Sequence, residues 1–269
     1  MNFAGHETFP FRYNWLTKGY ARIASHAQAL GQLDATMKEL GLGKNMARSL
    51  RHWMLATRMC DMVDPPRGRQ LRPTALATLL LDEHTGWDRF LEDPGSLWLI
   101  HWSLCSEPGR STTWHVAFSL IREAEFTRRD LTAAVERFAR ANGSSVARGT
   151  IQRDVDCFLH CYVPSSLRST VVPDDALACP LAELGLITRL ASGRDESFAF
   201  ARGPQLSLHD LVFAYLVADF WQSAHAGAMS LSFDQLAYGP GSPGMVLRLD
   251  ENSLAARLDA LEALTDGAF

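Results

Sequence analysis

The 269 residues are 47% hydrophobic and 21% charged with a net charge of −4, the composition of a folded globular chain. No apolar run reaches the roughly 18 residues needed to span a bilayer, and residues 1–20 lack a charged segment followed by an apolar one, so neither a membrane helix nor a secretory signal is expected. The net charge excludes a simple polybasic binder, yet residues 1–72 hold eleven Lys/Arg against five Asp/Glu, or +6, leaving −10 for the remainder. Such asymmetry allows a local nucleic-acid face on an acidic body, or only an uneven solvated surface.

The first distinctive stretch is GHETFPFRYNW, residues 5–15, which sets His6, Glu7 and Arg12 among aromatic residues. Its aromatic side chains are expected to pin the N-terminus onto the core, with the polar ones left to face DNA. Residues 35–43, ATMKELGLG, read as a short helix ended by a Gly-Leu-Gly turn. Residues 44–59 follow as a second helix. Met46, Leu50, Trp53, Met54 and Ala56 fall on one of its faces, and Lys44, Asn45, Arg48 and Arg51 on the other. DMVDPPRGRQLRPT reads as a strand, a turn carrying Arg67 and Arg69, and a returning strand, and Thr74 starts another helix. Two helices and a basic hairpin are the order of a winged helix-turn-helix. Residues 44–72 carry seven Lys/Arg and two Asp, a balance of +5, suited to phosphates and base edges. The alternative is a winged helix used for packing or protein contact, its arginines solvated.

In GWDRFLEDPGSLWLIHWSLC, Asp88 and Glu92 stand four apart, as on one helical face, and Ser96 is placed to cap the next helix. LWLIHWSLC is apolar almost all round and is expected to be buried, hiding His101, which then needs a hydrogen-bond partner. RRDLTAAVERFARANG is an amphipathic helix closed by Asn-Gly. The next helix has Arg148, Gln152 and Arg153 near its start. An acidic, Pro-containing loop then leads to a helix end, a strand, a polar turn and a strand. This is either a second winged module or a helical core element. Towards the C-terminus, Ser207 and Asp210 have capping-box-like spacing, GPGSPG is a turn cluster, MVLRL reads as a strand and ENSLAARLDALEAL as a closing helix. The five cysteines, an odd number in apolar surroundings, are expected to be reduced buried thiols of a cytoplasmic protein.

The sequence has no GxxxxGK[ST] loop, no GxGxxG after a strand and no HExxH pair. Cys157 and Cys161 with His160 lack a second ligand pair, so a structural zinc site is not expected. None of the three lysines follows an acid by two positions, which disfavours a PD-(D/E)xK nuclease. No cofactor is evident. Phosphodiester cleavage would require a His as general base, or carboxylates holding a divalent ion such as Mg or Mn. The candidates are His6, Glu7, Asp88, Glu92 and Asp154. In an extended segment His6 and Glu7 would point to opposite faces, so both line one site only if the backbone turns there. Otherwise one of them is joined by an acid from elsewhere.

The blocks GHETFPFRYNWLTKG, GLGKNMARSLRHW, GWDRFLEDPGSLWLIHW, RDVDCFL and GSPG, in that order from residue 5 to about 249, resemble the bacterial domain-of-unknown-function family 4007. The resemblance implies a cytoplasmic defence protein encoded beside sulfur-transfer enzymes of DNA phosphorothioation. It also implies kinship with the B component of the Ssp single-strand phosphorothioation system, described as a DNA nickase, with a cysteine desulfurase and other phosphorothioation proteins as partners. It assigns no catalytic residues.

The expected fold is mainly α with small β wings. A winged-helix-like DNA-binding module spans 1–86, a helical centre 87–126, a second winged-helix-like module 127–206, and a helical segment with a short strand 207–269. The expected function is double-stranded DNA binding with strand nicking. The DNA-binding residues would be Lys44, Asn45, Arg48, Arg51, Arg67, Arg69, Arg12, Arg148 and Arg153. A non-catalytic adapter or regulator and a protein-only scaffold are the alternatives.

Overall fold

Trp15, Leu16, Gly19, Tyr20 and Ile23 recur at three- and four-residue spacing, and the computed structural model places them on the buried face of a helix, α1 (Tyr13–Ser25). The structure describes residues 1–25, 37, 40–63, 70–164, 179–190 and 196–267. Helix α1 packs on α2 (Lys44–Ala56), which buries Ala47, Leu50, Trp53 and Met54 and turns Lys44, Asn45 and Arg48 outward. Gly19 sets their approach, because a Cβ there would stand 2.5 Å from the Met54 sulfur. Strands β1 (Cys60–Val63) and β2 (Gln70–Pro73) pair antiparallel, with Val63 opposite Gln70. Arg67 and Arg69 fall between them, outside the described residues, as do residues 35, 36, 38 and 39 of the helix expected at 35–43. Thr74 caps α3 (Ala75–Leu81), its hydroxyl accepting from the Ala77 N–H at 3.1 Å.

Residues 82–93 form a loop, so Asp88 and Glu92 do not share a helical face as their spacing suggested. The Asp88 carboxylate accepts the backbone N–H groups of Glu92 (2.9 Å) and Asp93 (3.0 Å), an arrangement that competes with helix in short polar side chains. Helix α4 (Pro94–Cys105) is capped by Asp93, which accepts from the Gly95 N–H at 2.6 Å, and not by Ser96, which is buried in the first turn. As expected, α4 is buried nearly all round. His101 lies inside it, bonded to the Tyr162 hydroxyl and the Val246 carbonyl, each at 2.8 Å.

Helix α5 (Thr112–His115) runs into one π turn, Val116–Leu120. The buried Arg248 guanidinium donates to the Ala117 (2.6 Å) and Ile121 (3.0 Å) carbonyls at that turn and packs on the Phe200 ring, and burial pulls its pKa down to about 9. Strand β3 (Glu125–Thr127) leads into α6 (Arg128–Ala141), which has a full capping box from Thr127 and Asp130 and ends at Asn142 with Gly143 left-handed. Helix α7 (Arg148–Tyr162) and a 3₁₀ turn (Pro180–Leu184) precede β4 (Ile187–Arg189) and β5 (Ser197–Phe200). These strands form an antiparallel sheet of order β3-β5-β4, sealed by Phe126 stacking on Phe198 and Phe200.

Two C-terminal expectations change. Helix α8 (Asp210–Ala224) starts at His209 without a side-chain cap, and Ser207 instead accepts from the Trp98 indole at 3.1 Å. MVLRL is not a strand. Ser242 caps a short helix, α10 (Pro243–Val246), with Pro243 in its first position, and only Leu249 makes a bridge, to Gly203. Between α8 and α10 lies α9 (Phe233–Tyr238), and α11 (Glu251–Leu264) closes the described chain. The architecture is mainly helical with two small sheets. All five cysteines are buried and free, and one apolar cluster runs from Phe11 to Leu261 through every segment. No helix among the described residues is long and apolar enough to cross a membrane.

Candidate nucleic-acid interface

Ala4, Glu7 and Thr8 all have left-handed backbones, with φ of 57°, 49° and 68°. None of these residue types favours that region, and for the β-branched Thr8 it is an outlier. Each costs on the order of 1–3 kcal/mol and persists only where the surroundings hold it. Here the hold is explicit. Glu7 N–H reaches the Ala4 carbonyl (3.1 Å) and Phe9 N–H the His6 carbonyl (2.8 Å), so the backbone turns twice between residues 4 and 9. The buried Asp154 of α7 accepts from the Ala4 N–H (2.7 Å) and from His6 Nε2 (2.6 Å). Thr8 N–H donates to His6 Nδ1 at 3.1 Å, which fixes the proton on Nε2. The His6 ring sits in an aromatic box, stacked on Trp53 and meeting Trp114 and His52. Gly5 is required beside it, because a Cβ would stand 2.4 Å from His52 Nδ1. Burial, reinforced by His6, holds His52 down at about pKa 3.

This turn answers the geometric question of the His-Glu pair. His6 goes inward and Glu7 outward, yet both border one recess of about 270 Å³, together with Thr8, Asn45 of α2, and Thr150 and Arg153 of α7. Of the three acids expected to join His6 or Glu7, Asp154 bonds to His6, Asp88 and Glu92 lie on the loop before α4, and none of the three lines the recess. Arg48 stands at the rim, 3.4 Å from Glu7, with the two side chains 48% and 33% exposed. An exposed pair at that distance holds weakly, about 0–1 kcal/mol, so the guanidinium can exchange a carboxylate for a phosphate. Both helices that border the recess start without side-chain caps, at Gly43 and Ala147, leaving first-turn N–H groups open to an anion.

The remaining expected DNA contacts are scattered. Arg51 is half-buried on α2. Arg12 packs over the Trp15 ring and Arg148 pairs with Glu136 at 3.5 Å. Sequence reasoning missed Gly5, His52 and Thr150. Nothing in the sequence alone ties a glycine at 5 to a histidine at 52.

Among the described residues no three His, Cys, Asp or Glu side chains are arranged to hold a metal ion. The carboxylate at the recess surface is Glu7, and the second Asp154 oxygen is buried without a partner among the described residues. The donors therefore do not form a preformed metal cage.

The sequence pattern of the family described as a protein of unknown function (DUF4007) matches residues 3–269. The chain belongs to that family. No curated protein matches it. Two solved structures, a crystal structure of SspB and a magnesium ion-bound crystal structure of SspB, are similar to it at 35% and 34% identity. Each superposes with a TM-score of 0.87 over 98% of this chain and 78% of the other. The family match and the structural likeness thus span the strained turn, α2 and α7 alike.

Proposed function

We propose that this chain is the DNA-binding, strand-nicking component of a bacterial phosphorothioation system, working in the cytoplasm on double-stranded DNA beside a cysteine desulfurase and its partner enzymes. The observation that carries the reading is the convergence of Asn45, Arg48 and Arg153 with Glu7 around one recess, on a backbone turn held under strain. The likeness to SspB supports it. The order of α1, α2, the β1–β2 pair and α3 supports reading residues 1–86 as a winged module whose second helix meets DNA. In this account the arginines seat the phosphates and Asn45 meets a base edge or sugar. Glu7 is the group that activates water. His6 is a positioning residue, because its two ring nitrogens are occupied by Asp154 and the Thr8 N–H.

That same occupancy, with no three-donor metal site among the described residues, favours one second reading, an adapter that binds DNA without cutting it. Incubation of the purified protein with supercoiled plasmid, with and without a divalent-metal chelator, separates the two. Conversion to open circles is expected. A gel shift without open circles would establish the adapter, and the absence of both would overturn the DNA reading.

A further inference from the structure

Helix α7 has a second recess on its other side. Arg128, Arg129 and Thr132 from the first turns of α6 and Arg148 and Gln152 from α7 enclose about 480 Å³ over a floor that includes Val155. The lining carboxylate, Asp156, is paired with Arg128, which also holds Glu196 at 2.9 Å, so Arg128 forms a fixed wall. Arg189 shares Glu196, at 3.0 Å. Arg148 is more available. Its acidic neighbour, Glu136, lies at 3.5 Å and is shared with Arg140 at 3.9 Å, and the Arg148 side chain is 58% exposed. Arg129 is exposed, with the capping carboxylate Asp130 beside it. Thr132 gives its hydroxyl to the Arg128 carbonyl, so the usable donors are two guanidinia and the Gln152 amide. That is the donor set that grips a phosphate at two edges.

We infer that this recess is a second phosphate-binding subsite, and that its ligand is the backbone of the same DNA strand that enters the Glu7 recess. The inference rests on the DNA reading above. Between the two recesses runs the start of α7, where Arg148, Gly149, Gln152 and Arg153 are all exposed. Arg153 faces one recess and Arg148 the other, five residues apart, about 7.5 Å along the axis. A strand crossing this ridge is held on both sides, and its backbone at the Glu7 side is fixed by an interaction made elsewhere.

The test is fluorescence anisotropy on a short DNA duplex over a salt series, for the wild type, Arg129→Ala/Arg148→Ala and Arg48→Ala/Arg153→Ala, with inorganic phosphate as competitor in a second arm. The Arg129/Arg148 variant is expected to keep its melting temperature and to bind more weakly, with a log–log salt slope shallower by about two, one unit for each phosphate no longer neutralised. Millimolar phosphate should leave wild-type binding little changed. Unchanged affinity and slope in that variant, with binding weakened in Arg48/Arg153, would overturn the second subsite and leave the DNA reading standing. Displacement of the duplex by millimolar phosphate only when Arg129 and Arg148 are present would assign the recess to free phosphate and overturn it as a strand-binding site. A wild type that does not bind the duplex would overturn both.

Discussion

His6 and Glu7 are adjacent in sequence but differ in what surrounds them, and that difference sets what each substitution does. Asp154 is buried, and its carboxylate is held by the His6 ring and the Ala4 N–H. His6→Ala removes the donor to a buried Asp154 oxygen and is expected to cost about 1–3 kcal/mol in urea unfolding, the penalty of leaving a buried acceptor unsatisfied. Glu7→Gln changes a partly exposed side chain and should alter stability by no more than about 0.5 kcal/mol. It should keep DNA binding while lowering nicking on the order of 10²–10⁴-fold, the usual share of a positioned acid or base. Equal loss of binding and nicking in Glu7→Gln would make the turn purely structural. Two buried histidines also give the fold a pH dependence. His52 is held near pKa 3 and His101 near 4 by burial, both below their ordinary 6.5. The unfolded chain takes up these protons first, so their contribution to stability is fully present above about pH 6.5. It falls with acidification by up to about 1.4 kcal/mol per pH unit for each, until the folded values are reached. Urea midpoints between pH 7 and 5 should fall accordingly, and His101→Gln should flatten the slope. A flat profile in the native protein would contradict this burial.

Among the elements, α4 is the one that the sequence marked most clearly, because nine nearly unbroken apolar residues leave no face for water. Trp102 is buried and its indole donates to Asp219 of α8 at 2.7 Å. Trp102→Ala should therefore cost about 3–5 kcal/mol through the cavity, with Asp219 still held by Arg58, and thermal unfolding measures it. A melting temperature close to the native one would show that α4 is not central. The helices at 44, 74, 128 and 148 and the strands at 60, 70, 187 and 197 were legible from their periodicity and bounding turns, with caps adding to the signal at 74 and 128. Where the reading failed, a local side-chain bond decided the backbone. Asp88 closes a loop, Asp93 takes the cap expected of Ser96, and Ser242-Pro243 starts a turn of helix in place of a strand. The strained turn at residues 4–8 was not legible, because Ala, Glu and Thr carry no left-handed signal. The site residues were legible as types, a His, an acid and basic side chains, but their convergence depends on bonds between residues 41 to 148 positions apart.

At the scale of the whole molecule the N-terminal strap organises the face. Asn2 bonds to Thr112 and Arg110, Ala4 and His6 bond to α7, and Trp53 of α2 donates to the Phe9 carbonyl. The first nine residues thus fasten α2, α5 and α7 together. Just past the C-terminal end of α2, the half-buried Arg58, itself left-handed, ties the helix end to Asp219 and Glu107. The acidic body and the basic N-terminal segment are joined in this way, and Arg48, Arg129, Arg148 and Arg153 are exposed beside the two recesses that flank α7. The most direct measurement is the salt dependence of duplex DNA binding by Arg48→Ala/Arg153→Ala, which removes one cation from each helix bordering the Glu7 recess. We predict weaker binding at every salt concentration, a log–log slope shallower by about two and an unchanged melting temperature. Affinity and slope equal to those of the native protein, in a variant that remains folded, would contradict the account.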